Sequence, residues 1–239
     1  MILKNWKVIK IGGSLLSPSD DKQFDFNYAY KFKSLLDTLN FRFSLTTGGG
    51  RFTRIIFQKL KDEGLDNKSD LHQVGVSTSN VNNELLRVVF SDVAFPRVLR
   101  YKEYDDYVAG NLQIDFENYK YLVAGSSQPG RSNDWNALQM AKALGVNEVI
   151  ILKDIDGIYS SDPRDNPDAK LQNKITWKQY FDIIGNPTDF EPGGNVPIDI
   201  FAAKDAYQLG IKFYILTGKD LENVKKAITG KDFHGTIVY

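Results

Sequence analysis

Lys7-Val8-Ile9-Lys10-Ile11-Gly12-Gly13-Ser14 is the stretch on which the fold turns. A short β-rich run passes directly into a glycine pair, and the same sequence of apolar run, glycine-rich turn and helical spacing recurs along the chain. Paired glycines at a strand end let backbone N–H groups approach an anion, and a following helix adds about half a positive charge at its N-terminus. Lys10 adds a full charge beside them. A plain structural turn has the same composition, so this turn alone leaves both readings open.

Working outward, the runs at 41–46, 121–124, 149–152, 212–216 and 236–238 join 7–11 as strands. Between them Phe26, Ala29, Phe32, Leu35, Leu36 and Leu39 recur at helical spacing, as do Ile55, Ile56 and Leu60, then Val81, Leu85, Val88 and Val89. Ala137, Leu138, Ala141 and Leu144 repeat the pattern before Gly145, a helix stop. This alternation implies an α/β fold with a parallel or mostly parallel sheet covered by helices. Residues 95–119, rich in tyrosine and charge, read as strand fragments and a loop, and 185–197 as a second irregular stretch. No repeat or linker divides the chain, so one domain of 1–239 is expected, with lobes of roughly 1–124 and 125–239 sharing one sheet.

Two further turns follow strands. Thr46-Thr47-Gly48-Gly49-Gly50 opens a helix that carries Arg54 one turn in, able to reach back over the loop. Three glycines cost backbone entropy that a plain turn does not require, which favours function. The other is Gly125-Ser126-Ser127-Gln128-Pro129-Gly130-Arg131-Ser132-Asn133-Asp134, where hydroxyls, an amide and a guanidinium suit a phosphorylated ligand. Asp134 lies where it can also serve as an N-cap. A fourth cluster, Lys153-Asp154-Ile155-Asp156-Gly157-Ile158-Tyr159-Ser160-Ser161-Asp162, sets a lysine, acids and an aromatic after a strand. None of these is a Walker A loop or a Gly-x-Gly-x-x-Gly turn. All sit at carboxyl ends of strands, where open α/β sheets bind ligands.

Composition narrows the class. The 239 residues carry 30 Lys+Arg against 30 Asp+Glu, a formal charge of +0, which excludes a nucleic-acid binder working by bulk charge. Hydrophobic residues at 42% and charged residues at 25% are globular usage. Zero cysteines exclude thiolate chemistry and Cys-ligated zinc, and His72 and His234 are the only histidines, so any metal sits on oxygen ligands. No apolar run approaches the roughly 20 residues of a membrane span. The opening residues lead into a strand without a signal-peptide core, so a cytoplasmic protein without a membrane partner is expected.

Taken in order, Lys-Ile-Gly-Gly-Ser, Thr-Gly-Gly-Gly-x-x-x-Arg, Gln-Pro-Gly-x-Ser, Asp-Gly-Ile-Tyr-x-x-Asp-Pro-Arg and a closing Gly-Thr-Ile-Val resemble the amino-acid kinase family. Within it the pattern is most similar to uridylate (UMP) kinases of the archaeal type. The resemblance spans about 8–238 and implies a three-layer α/β sandwich with a mainly parallel eight-stranded sheet. It further implies ATP-dependent transfer of a phosphoryl group, here UMP to UDP in pyrimidine nucleotide biosynthesis, with Mg²⁺ bridging the donor phosphates and no protein metal site.

Residue by residue, the resemblance makes Lys10, Arg54 and Asp134 catalytic, with Asp134 orienting the lysines. Gly12, Gly13, Ser14, Gly50, Lys153, Asp154, Tyr159 and Asp162 fall to ATP. Gly49, His72, Gly75, Ser127, Gln128, Pro129, Gly130, Arg131 and Ser132 fall to the acceptor. Small-molecule nucleotides and a second copy of the chain, as dimer or hexamer, are the implied partners.

Two departures stand out. His72 occupies the place of an aspartate that uridylate kinases use for ribose hydroxyls; a loop shift could bring in Asp70, and a solvated loop histidine is the bland reading. Lys153-Asp154 stands where Thr followed by Lys or Asn is usual, closer to acetylglutamate and aspartate kinases and molybdenum storage subunits. A sibling kinase with another small phosphate or carboxylate acceptor, or a non-catalytic ATP-binding storage protein of the molybdenum-storage type, are therefore the alternatives.

Overall fold

The computed structural model describes residues 5–112, 118–126, 128–163, 165–185 and 196–239. Among them are seven strands: β1 (Trp6–Ile11), β2 (Arg42–Thr47), β3 (Tyr121–Val123), β4 (Glu148–Lys153), β5 (Lys174–Ile175), β6 (Lys212–Thr217) and β7 (Thr236–Val238). They form one sheet in the order β3-β2-β1-β4-β6-β7-β5. Every neighbouring pair is parallel except β6 with β7. The mainly parallel sheet is as expected; against eight strands, the described residues hold seven, with isolated bridges Ala94–Tyr121 and Leu99–Ala124 at the β3 edge.

Helices cover both faces: α1 (Gly13–Leu16), α2 (Phe26–Asp37), α3 (Gly50–Asp62), α4 (Lys68–Val89), α5 (Tyr101–Val108), α6 (Asn133–Leu144), α7 (Trp177–Ile184), α8 (Ile200–Leu209) and α9 (Leu221–Ile228). This explains why the central strands read as nearly continuous apolar runs rather than as alternation, since each side chain meets a helical layer. Val8, Val149, Ile151, Phe213 and Ile215 pack with Leu138, Ala202 and Trp177 on one face. Ile9, Ile11, Phe43, Leu45 and Leu152 pack with Phe32, Leu36 and Val224 on the other. Gly145 ends α6 at φ 66°, the left-handed position that its place after the periodic run implies.

Residues 95–119 correct the sequence reading, because α5 lies within them. Its N-terminus is closed by Arg100 N–H donating to Glu103 Oε2 at 2.8 Å, and Tyr104 is wholly buried with its hydroxyl 3.2 Å from Ser44 Oγ. The signal was present as tyrosines at 101, 104 and 107, a helical step masked by the intervening charges. Of the second irregular stretch, 186–195 lies outside the described residues. Among the described residues no helix is long and apolar enough to cross a membrane.

Candidate active site

The carboxyl edge of β1 and β4 sets the site. The parallel register pairs Lys10 with Ile151 and with Thr46 of β2. Paired residues share a face and side chains alternate, so Lys10, Ile151 and Lys153 project to one side of the sheet. The N-terminus of α6 closes over that side. Its cap is Ser132, whose Oγ accepts from the N–H groups of Asp134 at 3.0 Å and Trp135 at 3.3 Å. Asp134 is therefore not the cap, and its carboxylate is available to Lys10: Nζ lies 3.0 Å from Oδ1, with the two side chains 11% and 6% exposed.

A polar network backs this pair. Asp199 N–H donates to Asp134 Oδ2 at 3.3 Å, while the Asp199 carboxylate caps α8 by accepting from Phe201 N–H at 2.8 Å and Ala202 N–H at 3.2 Å. Ser132 Oγ also donates to Asp199 Oδ2, joining the starts of α6 and α8. Lys153 Nζ donates to the Val196 carbonyl at 3.1 Å. Tyr180 of α7 holds that segment, its buried hydroxyl accepting from Ile198 N–H at 2.8 Å and donating to Ile198 O.

Charge follows this geometry. Desolvation works to raise the Asp134 pKa, but the Lys10 and Lys153 ammoniums outweigh it and hold the carboxyl below the usual range. Desolvation lowers Lys153 to about 8, against the pull of Asp134 and with a push from Lys10. Asp199 is raised, first by desolvation and then by the neighbouring Asp134 charge. A carboxylate between two lysines keeps both cations close without collapse, which is what a site for a polyphosphate requires.

The glycine turns meet backbone to backbone. A Cβ on Gly13 would lie 2.3 Å from Gly50 N, and one on Gly50, at φ +60°, would lie 2.3 Å from Gly13 O. Only glycine permits the ends of β1 and β2 to come this close. Helix α4 then fastens the second and third turns through amides. Asn83 Oδ1 accepts from Thr47 N–H at 2.9 Å and Nδ2 donates to Thr47 O at 3.1 Å. Asn82 donates to Gly48 O at 3.0 Å and Asn80 to Ser126 O at 2.8 Å. Sequence reasoning missed Asn80, Asn83, Tyr180 and Asp199's bridging role. Three asparagines within four positions of a helix were the available signal, since asparagine competes with the helical backbone and calls for another partner.

Two cavities flank Lys10. One, of about 230 Å³, gathers Lys10, Gly13, Ser14, Gly49, Gly50, Arg54, His72, Gly75, Gly130, Arg131, Ser132, Asp134 and Lys153. The other, of about 600 Å³, gathers Gly12, Asp154, Tyr159 and Asp162 and shares Lys10, Gly13, Ser14, Arg54 and Lys153 with the first. Gly50, which the resemblance assigns to ATP, lines the smaller cavity only. Gln128 and Pro129 line neither, and Ser127 lies outside the described residues. His72 sits on α4, not in a loop, and helical geometry keeps Asp70, in the first turn, out of both cavities. Among the described residues no group of three or more His, Asp or Glu side chains could hold a metal.

The sequence model of the amino acid kinase family matches residues 5–217. The chain belongs to the amino acid kinase family. Its relatives extend over nearly its whole length. A uridylate kinase of Methanocorpusculum labreanum is 30% identical over 232 residues, covering 97% of this chain and 94% of that one. One of Thermococcus kodakarensis is 29% identical over 231 residues, covering 97% and 98%. Among solved structures, the uridylate kinase from Archaeoglobus fulgidus superposes with a TM-score of 0.76 at 25% identity, covering 98% of this chain and 100% of that one. The UMP kinase from Bacillus anthracis gives 0.77 at 18% identity, covering 98% and 95%, a likeness of fold. In this amino acid kinase, paired cavities over a shared cationic floor are suited to passing an anionic group from one ligand to another.

Proposed function

We propose that the protein is an ATP-dependent uridylate kinase, a nucleoside monophosphate kinase that converts UMP to UDP. The observation that carries this reading is the floor common to both cavities, Lys10, Gly13, Ser14, Arg54 and Lys153, which brings a donor and an acceptor phosphate together. The uridylate kinase relatives support it over nearly the full chain. ATP falls in the larger cavity, beside Tyr159, Asp154 and Asp162, and UMP in the smaller one, beside Gly49, His72, Gly75 and Arg131. Residues of roughly 1–124 supply most of the acceptor wall and residues of 125–239 most of the donor wall, with Arg131, Ser132 and Asp134 crossing to the acceptor side and Lys10, Gly12 and Arg54 to the donor side.

In the transfer an oxygen of the UMP phosphate attacks the γ-phosphorus of ATP, the bond to the β–γ bridging oxygen breaks, and ADP leaves with that electron pair. A phosphate anion is already a nucleophile, so no general base is needed. The protein's part is placement and charge: Lys10 and the Gly12-Gly13-Ser14 turn hold the transferring group, Lys153 and Arg54 neutralise charge spread over it, and Asp134 fixes the lysines. Mg²⁺ fits as an ion carried by the donor phosphates, with Asp154 and Asp162 the donor-side carboxylates that would hold it directly or through water. When bound it neutralises phosphate charge. A cytoplasmic homo-oligomer, dimer or hexamer, completes the reading, and light scattering measures its mass.

An ATP-consumption assay across UMP, CMP, acetylglutamate and isopentenyl phosphate tests it. UMP should give the highest kcat/KM, and no turnover with any phosphate acceptor at saturating ATP and Mg²⁺ sinks the proposal. The storage alternative has no use for a second cavity that shares Lys10 and Arg54 with the first, and it predicts co-purifying oxoanions detectable by elemental analysis.

Lys153 supplies a second test. Its pKa of about 8 lies below the ordinary value of 10.5, so the unfolded chain binds more protons between those pH values and this group adds stability as pH rises through them. Bound phosphates favour the ammonium. ATP binding at pH 8–9 should therefore take up protons, read by calorimetry in buffers of different ionisation enthalpy, and Lys153→Met should abolish the uptake.

A further inference from the structure

The loop before α6 places a guanidinium in the acceptor cavity in an unusual state. Arg131 lines the cavity, with Cζ 3.9 Å from the ring centroid of Phe201 in the first turn of α8 and 5.8 Å from that of Trp135. Its Nε is buried and has no hydrogen-bond partner among the described residues. No carboxylate among the described residues forms an ion pair with it. Buried donors are almost always satisfied, and a guanidinium is costly to desolvate without a counter-charge. Stacking on an aromatic face fixes the plane of the fork yet uses none of its N–H donors, which suits bidentate recognition of an anion.

The balance of charge around it points to the kind of anion. Lys10, Arg54, Arg131 and Lys153 line the cavity against Asp134 and Asp199. Both carboxylates are already engaged, Asp134 by Lys10 and the Asp199 N–H, Asp199 by Ser132 and the start of α8. The lining therefore holds a surplus of two positive charges. An acceptor that ends in a carboxylate brings one negative charge, whereas a phosphate monoester brings close to two at neutral pH.

We propose that Arg131, held flat against Phe201, is a specificity-determining residue that joins Arg54 in a two-arginine clamp on the acceptor's phosphate, so that the site selects phosphate monoesters over carboxylates and over the unphosphorylated nucleoside. This rests on the phosphoryl-transfer reading and names what its acceptor site recognises. Phe201 and Trp135 act as supports for the clamp. They fix its geometry before the ligand arrives, which lowers the entropic cost of binding.

The test is equilibrium binding of UMP and uridine to the full chain without ATP, by calorimetry or by competition. Arg131→Met should weaken UMP binding at least about tenfold, leave uridine within about twofold, and reduce the salt dependence of UMP binding. These are marks of a lost phosphate contact. Arg131→Lys keeps the charge without the fork and should fall between wild type and Met; it also serves if the Met variant does not fold. The KM for ATP should stay within about threefold. Equal weakening of UMP and uridine would mean that Arg131 only braces the loop, and unchanged UMP binding would mean that it makes no contact; either result overturns the clamp. Wild-type protein that binds no UMP overturns the uridylate kinase reading itself, a failure distinct from wild-type binding that the variants leave intact.

Discussion

Lys10→Ala should lower kcat by about 10²–10³ while shifting ATP affinity only a few-fold, because the ammonium works where charge develops on the transferring group. The geometry explains the asymmetry. Lys10 lies on the floor common to both cavities, whereas Gly12, Asp154, Tyr159 and Asp162 line the donor cavity alone and remain to hold ATP. Lys153 is also on that floor, so residual activity should persist; with the Lys10 charge gone and phosphates bound, Lys153 keeps its proton to a higher pH than the value of about 8 it has beside Lys10, and the alkaline decline should begin above that value. Steady-state kinetics over pH with separately measured ATP binding checks this. Unchanged kcat in the variant would show that the lysine has been misassigned.

Asp134→Ala should destabilise the protein by about 3–5 kcal/mol, since it strips a buried ion pair of one partner and leaves Lys10 facing Lys153. For a chain of this size that corresponds to a loss in Tm on the order of 10 °C. Activity should fall with it, because the lysines lose the charge that holds them together. Asp134→Asn keeps the size and the acceptor for Asp199 N–H, so it should unfold less readily than Ala while losing nearly as much activity. The pH dependence has a definite sign. The Asp134 pKa is held below 3.8 in the fold, so its contribution is complete above that value and is lost as pH falls through the folded pKa. The Tm gap between wild type and Asp134→Ala should therefore stay level from pH 7 down to about pH 4 and narrow only below it, as thermal scans carried below pH 3.8 would show.

Much of the site was legible because its parts are local. Strand, glycine turn and helix start are adjacent in sequence, so Lys10 with Gly12-Gly13-Ser14, Gly48-Gly49-Gly50 with Arg54, and the loop before Asp134 could each be recognised as anion-ready. What was missed lies mostly in long-range pairing. Asn80 and Asn83 matter because α4 crosses the ends of β2 and β3, and Asp199 because α8 begins beside α6. Gly50, assigned to ATP by the resemblance, meets Gly13 backbone to backbone and lines the smaller of the two cavities, a contact between strand ends that no local pattern announces. The bland reading of His72 as a loop histidine gives way because Asn67 caps a helix that runs through it.

The sequence by itself determined the alternation of strands and helices and the stock of cations and glycines at the strand ends, since these follow from periodicity and local backbone requirements, while the order of its motifs carried the resemblance to the family. Tertiary structure alone decided which charges meet. Lys10 and Asp134 are far apart along the chain and become partners because the β1–β4 register and the Ser132 cap of α6 bring them together in a site shielded from water. There a carboxylate's attraction outweighs its desolvation, and two lysines that would repel each other in an open chain are held as one floor under two cavities.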